Sequence, residues 1–228
     1  MRNYKLYTAV GRLIVKKDGE CRYPVISMNR KEYPVDPQEA AVWTALCWRI
    51  CNVEQLWERY ERFAADIPVE RRTLENCVSR LMTRGLIARG EGDSEFEALY
   101  DLMGDLYVMP VSDRFAYKVM AFFSLVLHGV SLGKAAGLFA RDRRDNEETR
   151  VMELSRQALM STAELIKCFE VGATDVSDDL KLMEALYVDE ETTCDNIAIL
   201  MRRARSREPV TMAVANLYLR KQVILERV

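Results

Sequence analysis

The chain has 228 residues, 49% apolar and 30% charged, with 33 Lys/Arg against 35 Asp/Glu and a single His. That composition excludes intrinsic disorder and leaves room for one or two modest domains, while a net charge of −2 excludes any global attraction to nucleic acid. Six cysteines (Cys21, Cys47, Cys51, Cys77, Cys168 and Cys194) without CxxC spacing exclude a zinc ribbon or dense disulfide framework, and read as reduced cytosolic thiols.

The N-terminus alternates from its first residues and reads as mature sequence without a secretory leader. Tyr4, Leu6, Thr8, Val10, Leu13 and Val15 recur at strand spacing, and residues 16–20 supply a turn centred on Asp18-Gly19. A return strand over 21–28 and a short one over 32–35 follow, with Pro24 and Pro34 limiting both to edge or irregular pairing.

Asp36-Pro37-Gln38-Glu39 is the sharpest local signal: Asp36 caps, Pro37 suits the first helical position, and Glu39 completes a capping box. The first helix is expected to carry Ala40, Val42, Trp43, Leu46, Cys47 and Ile50 inward before residues 51–52 end it. Asn52 with Gln55 repeats the capping arrangement for a second amphipathic helix bearing Val53, Leu56, Trp57, Tyr60 and Phe63. A third helix over about 69–84 places Leu74, Cys77, Val78 and Leu81 inward and stops at Gly85. Residues 86–89, a turn at 90–93 and residues 96–100 then form an expected second hairpin.

After Pro110 the pattern is expected to be helical to the end. Residues 115–130, interrupted by Lys118, Ser124, His128 and Gly129, are too short an apolar run for a bilayer span of roughly 20 residues and read as a buried core helix. Further helices are expected over 147–170, 177–187, 190–205 and 210–227, the third of these with acids at its start and Arg202, Arg203 and Arg205 at its end, as a helix dipole favours. No internal repeat stands out. The predicted fold is therefore mainly α: residues 1–110 forming three helices with β-hairpins, and residues 111–228 an all-helical domain for assembly and effector sensing.

No glycine-rich phosphate loop, metal-binding histidine pair or nucleophile elbow is present, and His128 lies among Phe122, Phe123, Leu125 and Leu127 as a core histidine. The sequence predicts a non-enzymatic protein without cofactor or metal.

Residues 36–100 resemble a winged helix-turn-helix domain of bacterial transcriptional regulators. The resemblance is carried by Leu74-Glu75-Asn76-Cys77-Val78-Ser79-Arg80-Leu81 followed by Met82-Thr83-Arg84-Gly85-Leu86-Ile87, which looks like a recognition helix passing into a wing strand. It implies a cytoplasmic, DNA-binding transcriptional regulator that places the third helix in the major groove, as a homodimer on two half-sites of double-stranded DNA. Arg72, Asn76 and Arg80 would approach base edges, Ser79 and Thr83 would serve bases or phosphates, and Arg71, Arg84 and Arg89 would hold phosphates. Between residues 71 and 89 five arginines stand against one acid, the local excess that counterion release requires. Glu91, Asp93, Glu95, Glu97, Asp101 and Asp105 make the expected wing acidic, which opposes DNA.

The alternative is a peptide- or protein-binding module, because a hairpin before three helices is also similar to PqqD-like peptide-binding domains. There a sheet edge, here expected between residues 21 and 35, would take a peptide by strand addition. The final helix, with Val210, Val214, Leu217, Ile224 and Val228 near one stripe, is the candidate dimer seam, and a small-molecule effector is the candidate ligand of the second half.

Overall fold

The computed structural model describes residues 3–64, 72–111, 144–189 and 191–228. Two strands meet where a hairpin alone was expected. β1 (Tyr4–Ala9) separates from β2 (Arg12–Asp18) at Val10-Gly11, so the two enter different sheets. β2, β3 (Cys21–Met28) and β4 (Lys31–Pro34) form an antiparallel sheet in that order, turning through Gly19-Glu20 and then through Asn29 and Arg30, both at positive φ. β1 instead pairs with β5 (Ile87–Gly92), Tyr4 opposite Gly92 through Ala9 opposite Ile87.

The three expected helices form. α1 (Pro37–Leu46) begins with the Asp36–Glu39 capping box and ends four residues before the expected Ile50, because the chain reverses through Trp48 at φ 52°. α2 (Val53–Ala64) begins with the reciprocal Asn52–Gln55 bonds. α3 (Leu74–Thr83) begins at the Thr73 cap and stops at Gly85, whose φ of +73° suits glycine.

The hairpin expected after β5 does not form. Residues 95–103 are instead α4 (Glu95–Met103), capped by Ser94, and α4 lies directly on β5. A Cβ on Gly90 would sit 2.2 Å from the Ala98 carbonyl oxygen and 2.3 Å from the Leu102 nitrogen, so the two backbones approach as only glycine permits.

The second half is not all-helical, and the mainly-α expectation, with a winged first unit, is overturned: nine helices and eight strands occur among the described residues. β6 (Tyr107–Pro110) pairs with β7 (Met160–Ser161) on one side and β8 (Val223–Glu226) on the other. The helix expected over 147–170 is two, α5 (Asn146–Gln157) and α6 (Thr162–Glu170), separated by β7; Ser161 and Glu164 form a capping box that restarts the helix. α7 (Asp179–Tyr187) follows. The helix expected over 190–205 shrinks to α8 (Ile197–Leu200) and a 3-10 turn, Met201–Arg203. α9 (Arg207–Leu219) ends before β8, where the Val-Ile-Leu run favours a strand. The core helix expected over 115–130 lies outside the described residues, and among those described no helix is long and apolar enough to cross a membrane.

One arrangement occurs twice. In the first copy the Asp36–Glu39 box starts α1, the Asn52–Gln55 pair starts α2, and Cys51 bridges Tyr7 of β1. In the second the Asp145–Glu148 box starts α5, the Ser161–Glu164 box starts α6, and Met160 pairs with Val108 of β6. The exits also match. Gly85 N–H bonds Met82 O and Leu86 N–H bonds Leu81 O, both at 2.9 Å; Lys221 N–H bonds Tyr218 O at 2.9 Å and Gln222 N–H bonds Leu217 O at 2.8 Å. Val10 N–H reaches Leu86 O at 3.0 Å, and Val111 N–H reaches Gln222 O at 2.9 Å. α3 and α9 are thus counterparts, as are Arg84 and Arg220.

Each copy is closed by one buried carboxylate. Glu39, 1% exposed, accepts from Arg80 Nε at 2.7 Å, Arg84 Nη1 at 3.1 Å and the Asp36 amide at 3.3 Å. Glu148, also 1% exposed, accepts from Arg220 Nη1 at 2.8 Å and the Asp145 amide at 3.3 Å. Both copies share one continuous apolar core.

Glu39→Ala is expected to lower stability by about 2–3 kcal/mol, the low end for a broken buried pair because its arginines keep some water; Glu39→Gln, which retains the cap bond, recovers part of this in urea denaturation. Gly90→Ala is expected to cost roughly 3 kcal/mol or more, read as a fall in melting temperature, because the new methyl meets helix backbone that has to move.

Candidate functional site

The residues expected to read DNA are gathered on and around α3, but most of their charge is already engaged. Arg72 Nη1 lies 2.6 Å from Asp36 Oδ2. Arg80 and Arg84 both hold Glu39, and Arg84 Nη2 also donates to the Pro34 carbonyl. Arg89 Nε is 3.2 Å from Glu91 Oε1. Four guanidinium groups therefore face three carboxylates, and the excess counted along residues 71–89 is largely cancelled in space. Asn76 and Ser79 are exposed; Asn76 bonds the Thr73 cap through its amide, and the Ser79 carbonyl accepts from Thr83 Oγ1 at 2.9 Å. Arg71 lies outside the described residues.

Sequence spacing assigned Glu39 only a capping role. Its second role was hidden because Arg80 is 41 residues away. A glutamate on the first turn of a buried helix, facing a helix with arginines on its last turn, was the available signal.

The acids assigned to a wing have another use. On α4, Glu97 pairs with Arg207 at 2.9 Å and Asp101 with Arg202 at 2.5 Å; Arg207 also lies over the rings of Phe96 and Tyr100. Two of the six acids therefore receive the second copy, and Glu91 pairs with Lys5 and Arg89 in the first. The helix-dipole account of Arg202 is replaced by this contact, and Asp189 holds Lys167 at 2.5 Å.

The sheet edge expected to add a peptide is also different. β3 is the central strand, leaving β4 as the edge on that side. Val35 N–H bonds the Pro24 carbonyl, so by alternation the backbone of Glu32 and Pro34 faces outward. Pro34 has no N–H and its carbonyl is taken by Arg84, which blunts the edge.

An open groove of about 500 Å³ runs between α2 and α3. Val53, Leu56, Leu74, Val78 and Met82 supply its apolar surface, and Glu75, Ser79, Thr83 and Arg89 its polar one. Glu75, Ser79 and Arg89 are exposed and Val78 and Met82 half-buried. Their counterparts in the second copy are Thr211, Ala215, Leu225, Val214 and Tyr218, every one of them buried.

α6 of the same copy packs directly on α9, and the first copy meets that face at Tyr218 and Arg207. The Tyr218 hydroxyl accepts from the Trp48 amide at 2.9 Å, lies 2.9 Å from Thr8 Oγ1, and approaches the Ala9 and Leu46 carbonyls at 3.3 and 3.4 Å; burial pushes its pKa up. α4 packs on α9 through Arg207. Of the stripe read as a dimer seam, Val210, Val214, Leu217 and Ile224 are buried within the one chain, and Val228 is exposed.

Among the described residues no group of three or more His, Cys, Asp or Glu is placed to hold a metal. Cys47 and Cys51, one turn apart in the sequence reading, lie beyond α1; burial pushes the Cys47 thiol up to about 11 and raises that of Cys51. No protein-family model, curated protein or solved structure matches the chain.

Partial burial pushes the Asp36 carboxyl up, but bonds from the Glu39 amide and the Arg72 guanidinium outweigh it and hold the group below its ordinary 3.8. Its contribution is complete above that value and lost as pH falls through the lower folded value. Asp36→Asn, which keeps a cap oxygen but does not titrate, is expected to flatten the loss of stability as pH falls below about 4, measured by denaturant unfolding across acidic pH.

Proposed function

We propose that this chain is a protein-interaction module without catalytic activity, and that the groove between α2 and α3 receives an amphipathic helical segment of a partner protein. One observation carries the reading: apart from Thr83, whose counterpart Leu219 is exposed, the positions that line the open groove in the first copy are positions that the second copy buries. The groove lies between two helices, with apolar side chains along its floor and single charges of each sign at its rim, which suits a helix with an apolar stripe.

The likeness to a winged helix-turn-helix module is, on this reading, one of connectivity put to protein contact. Double-stranded DNA has less support because Asp36, Glu39 and Glu91 engage the arginines that would meet phosphate. The α9 surface is covered and offers no second reading helix, so two half-sites would require a second chain. The six free thiols suit a reducing, cytoplasmic setting.

Panning a displayed library of helical peptides against the intact chain, alongside selection from random duplex DNA at two salt concentrations, tests the reading. Peptides sharing an apolar stripe at helical spacing are expected. Their affinity should fall by at least about thirtyfold on Val53→Glu or Met82→Glu, as a central contact demands, with circular dichroism unchanged. Enrichment of a DNA sequence that weakens with salt, or helical peptides indifferent to both variants, would sink it.

A further inference from the structure

A second cavity lies on the other side of α1, between the two copies. Its volume is about 350 Å³, within the range of roughly 300–1,000 Å³ typical of small-molecule sites. The first copy contributes Leu13, Trp43 and Trp48, and the second contributes Tyr218 and Ile224.

The polar atoms of these aromatics are already used. Trp43 Nε1 donates to the Val10 carbonyl at 3.1 Å, Trp48 Nε1 to the Val223 carbonyl at 3.3 Å, and the Tyr218 hydroxyl is held as described. Thr44 and Cys47 add a hydroxyl and a thiol, but most of the wall is ring face and aliphatic surface, which suits an apolar body.

The lining also carries charge of one sign. Arg12, exposed and part of the lining, has no carboxylate partner among the described residues, whereas Lys16 on the same strand is paired with Glu32 at 2.5 Å. Lys221 lies 5.6 Å from the centre of the Trp48 ring and likewise has no acidic partner among the described residues.

Trp48 itself adopts φ 52°, a left-handed conformation that is strained for a bulky residue. The bonds from its amide to Tyr218 and from its ring to Val223 hold it there, and the conformation keeps the indole on the cavity wall. Strain of this kind, fixed by contacts with the other copy, gathers where a ligand is clamped.

We infer that this cavity binds an aromatic carboxylate, its rings against Trp43 and Trp48 and its anionic end toward Arg12 and Lys221. Because the walls come from both copies, an occupant stabilises their packing by the usual linkage of binding to folding. The site is independent of the α2–α3 groove.

Calorimetric titration of the full chain with 2-naphthoate and its neutral isostere 2-naphthamide, each with a thermal-melting readout, tests the inference. Saturable binding of the acid with a raised melting temperature is expected, with the amide about tenfold or more weaker. Arg12→Gln should erase that discrimination while the fold is unchanged. Cys47→Phe, which fills the lining beside Trp48, should abolish binding of both compounds while retaining the melting transition. Absence of saturable heat with either compound up to about 1 mM, equal affinity of acid and amide for the unaltered chain, or undiminished binding to a folded Cys47→Phe variant would each overturn it.

Discussion

The molecule turns on a carboxylate without access to water at the entry of a helix. Glu39 and Glu148 each sit on the first turn of the helix that opens a copy, and each is satisfied by the arginine that closes that copy's last helix. An ionised group in that setting is tolerable only when its hydrogen bonds are made, so the start of one helix and the end of another are held in fixed relation. The same bonds turn arginines inward. In the first copy, Arg80 and Arg84, which look like nucleic-acid contacts along the sequence, are spent on holding α1 against α3.

The two copies then diverge in use. In the second, α9 presents small or apolar side chains (Thr211, Val214, Ala215) where α3 has Glu75, Val78 and Ser79, and Tyr218 plugs into a ring of backbone groups from β1 and the end of α1. That face is consumed in joining the copies. In the first, the equivalent face keeps two charges and two hydroxyls at its rim and stays open. Duplication thus yields one structural surface and one available surface from a single design.

Much of the first copy was legible along the chain. Asp36-Pro37-Gln38-Glu39, Asn52 with Gln55, and the stop at Gly85 are local signals whose chemistry acts within four residues, and all three act as read. The repeat was not legible, because few identities survive: Asp36 and Asp145, Glu39 and Glu148, Arg84 and Arg220, with Leu81 and Leu217 among the core positions. The left-handed stop at Gly85 is Lys221 in the second copy, so the glycine that marked the first exit is missing from the second. β6, β7 and β8 are two to four residues long, too short for alternation to distinguish them from helix. The pairing of the site residues was hidden for a different reason. Charge counted in a sequence window is not charge in space, and the partners of α3 lie on α1, far upstream.

The bond network around Tyr218 joins residues 210 positions apart: the eighth residue of the chain meets a side chain on its last helix. Contacts of that separation form late, after nearly all other chain segments are available. Thr8 and the end of α1 form part of the wall of the first copy's core, and α9 covers that wall through Tyr218. During folding, the first copy carries an apolar flank until α9 docks on it, and transiently exposed surface of that kind promotes association. A chain cut before Arg207 would therefore be a sticky intermediate rather than a small stable domain.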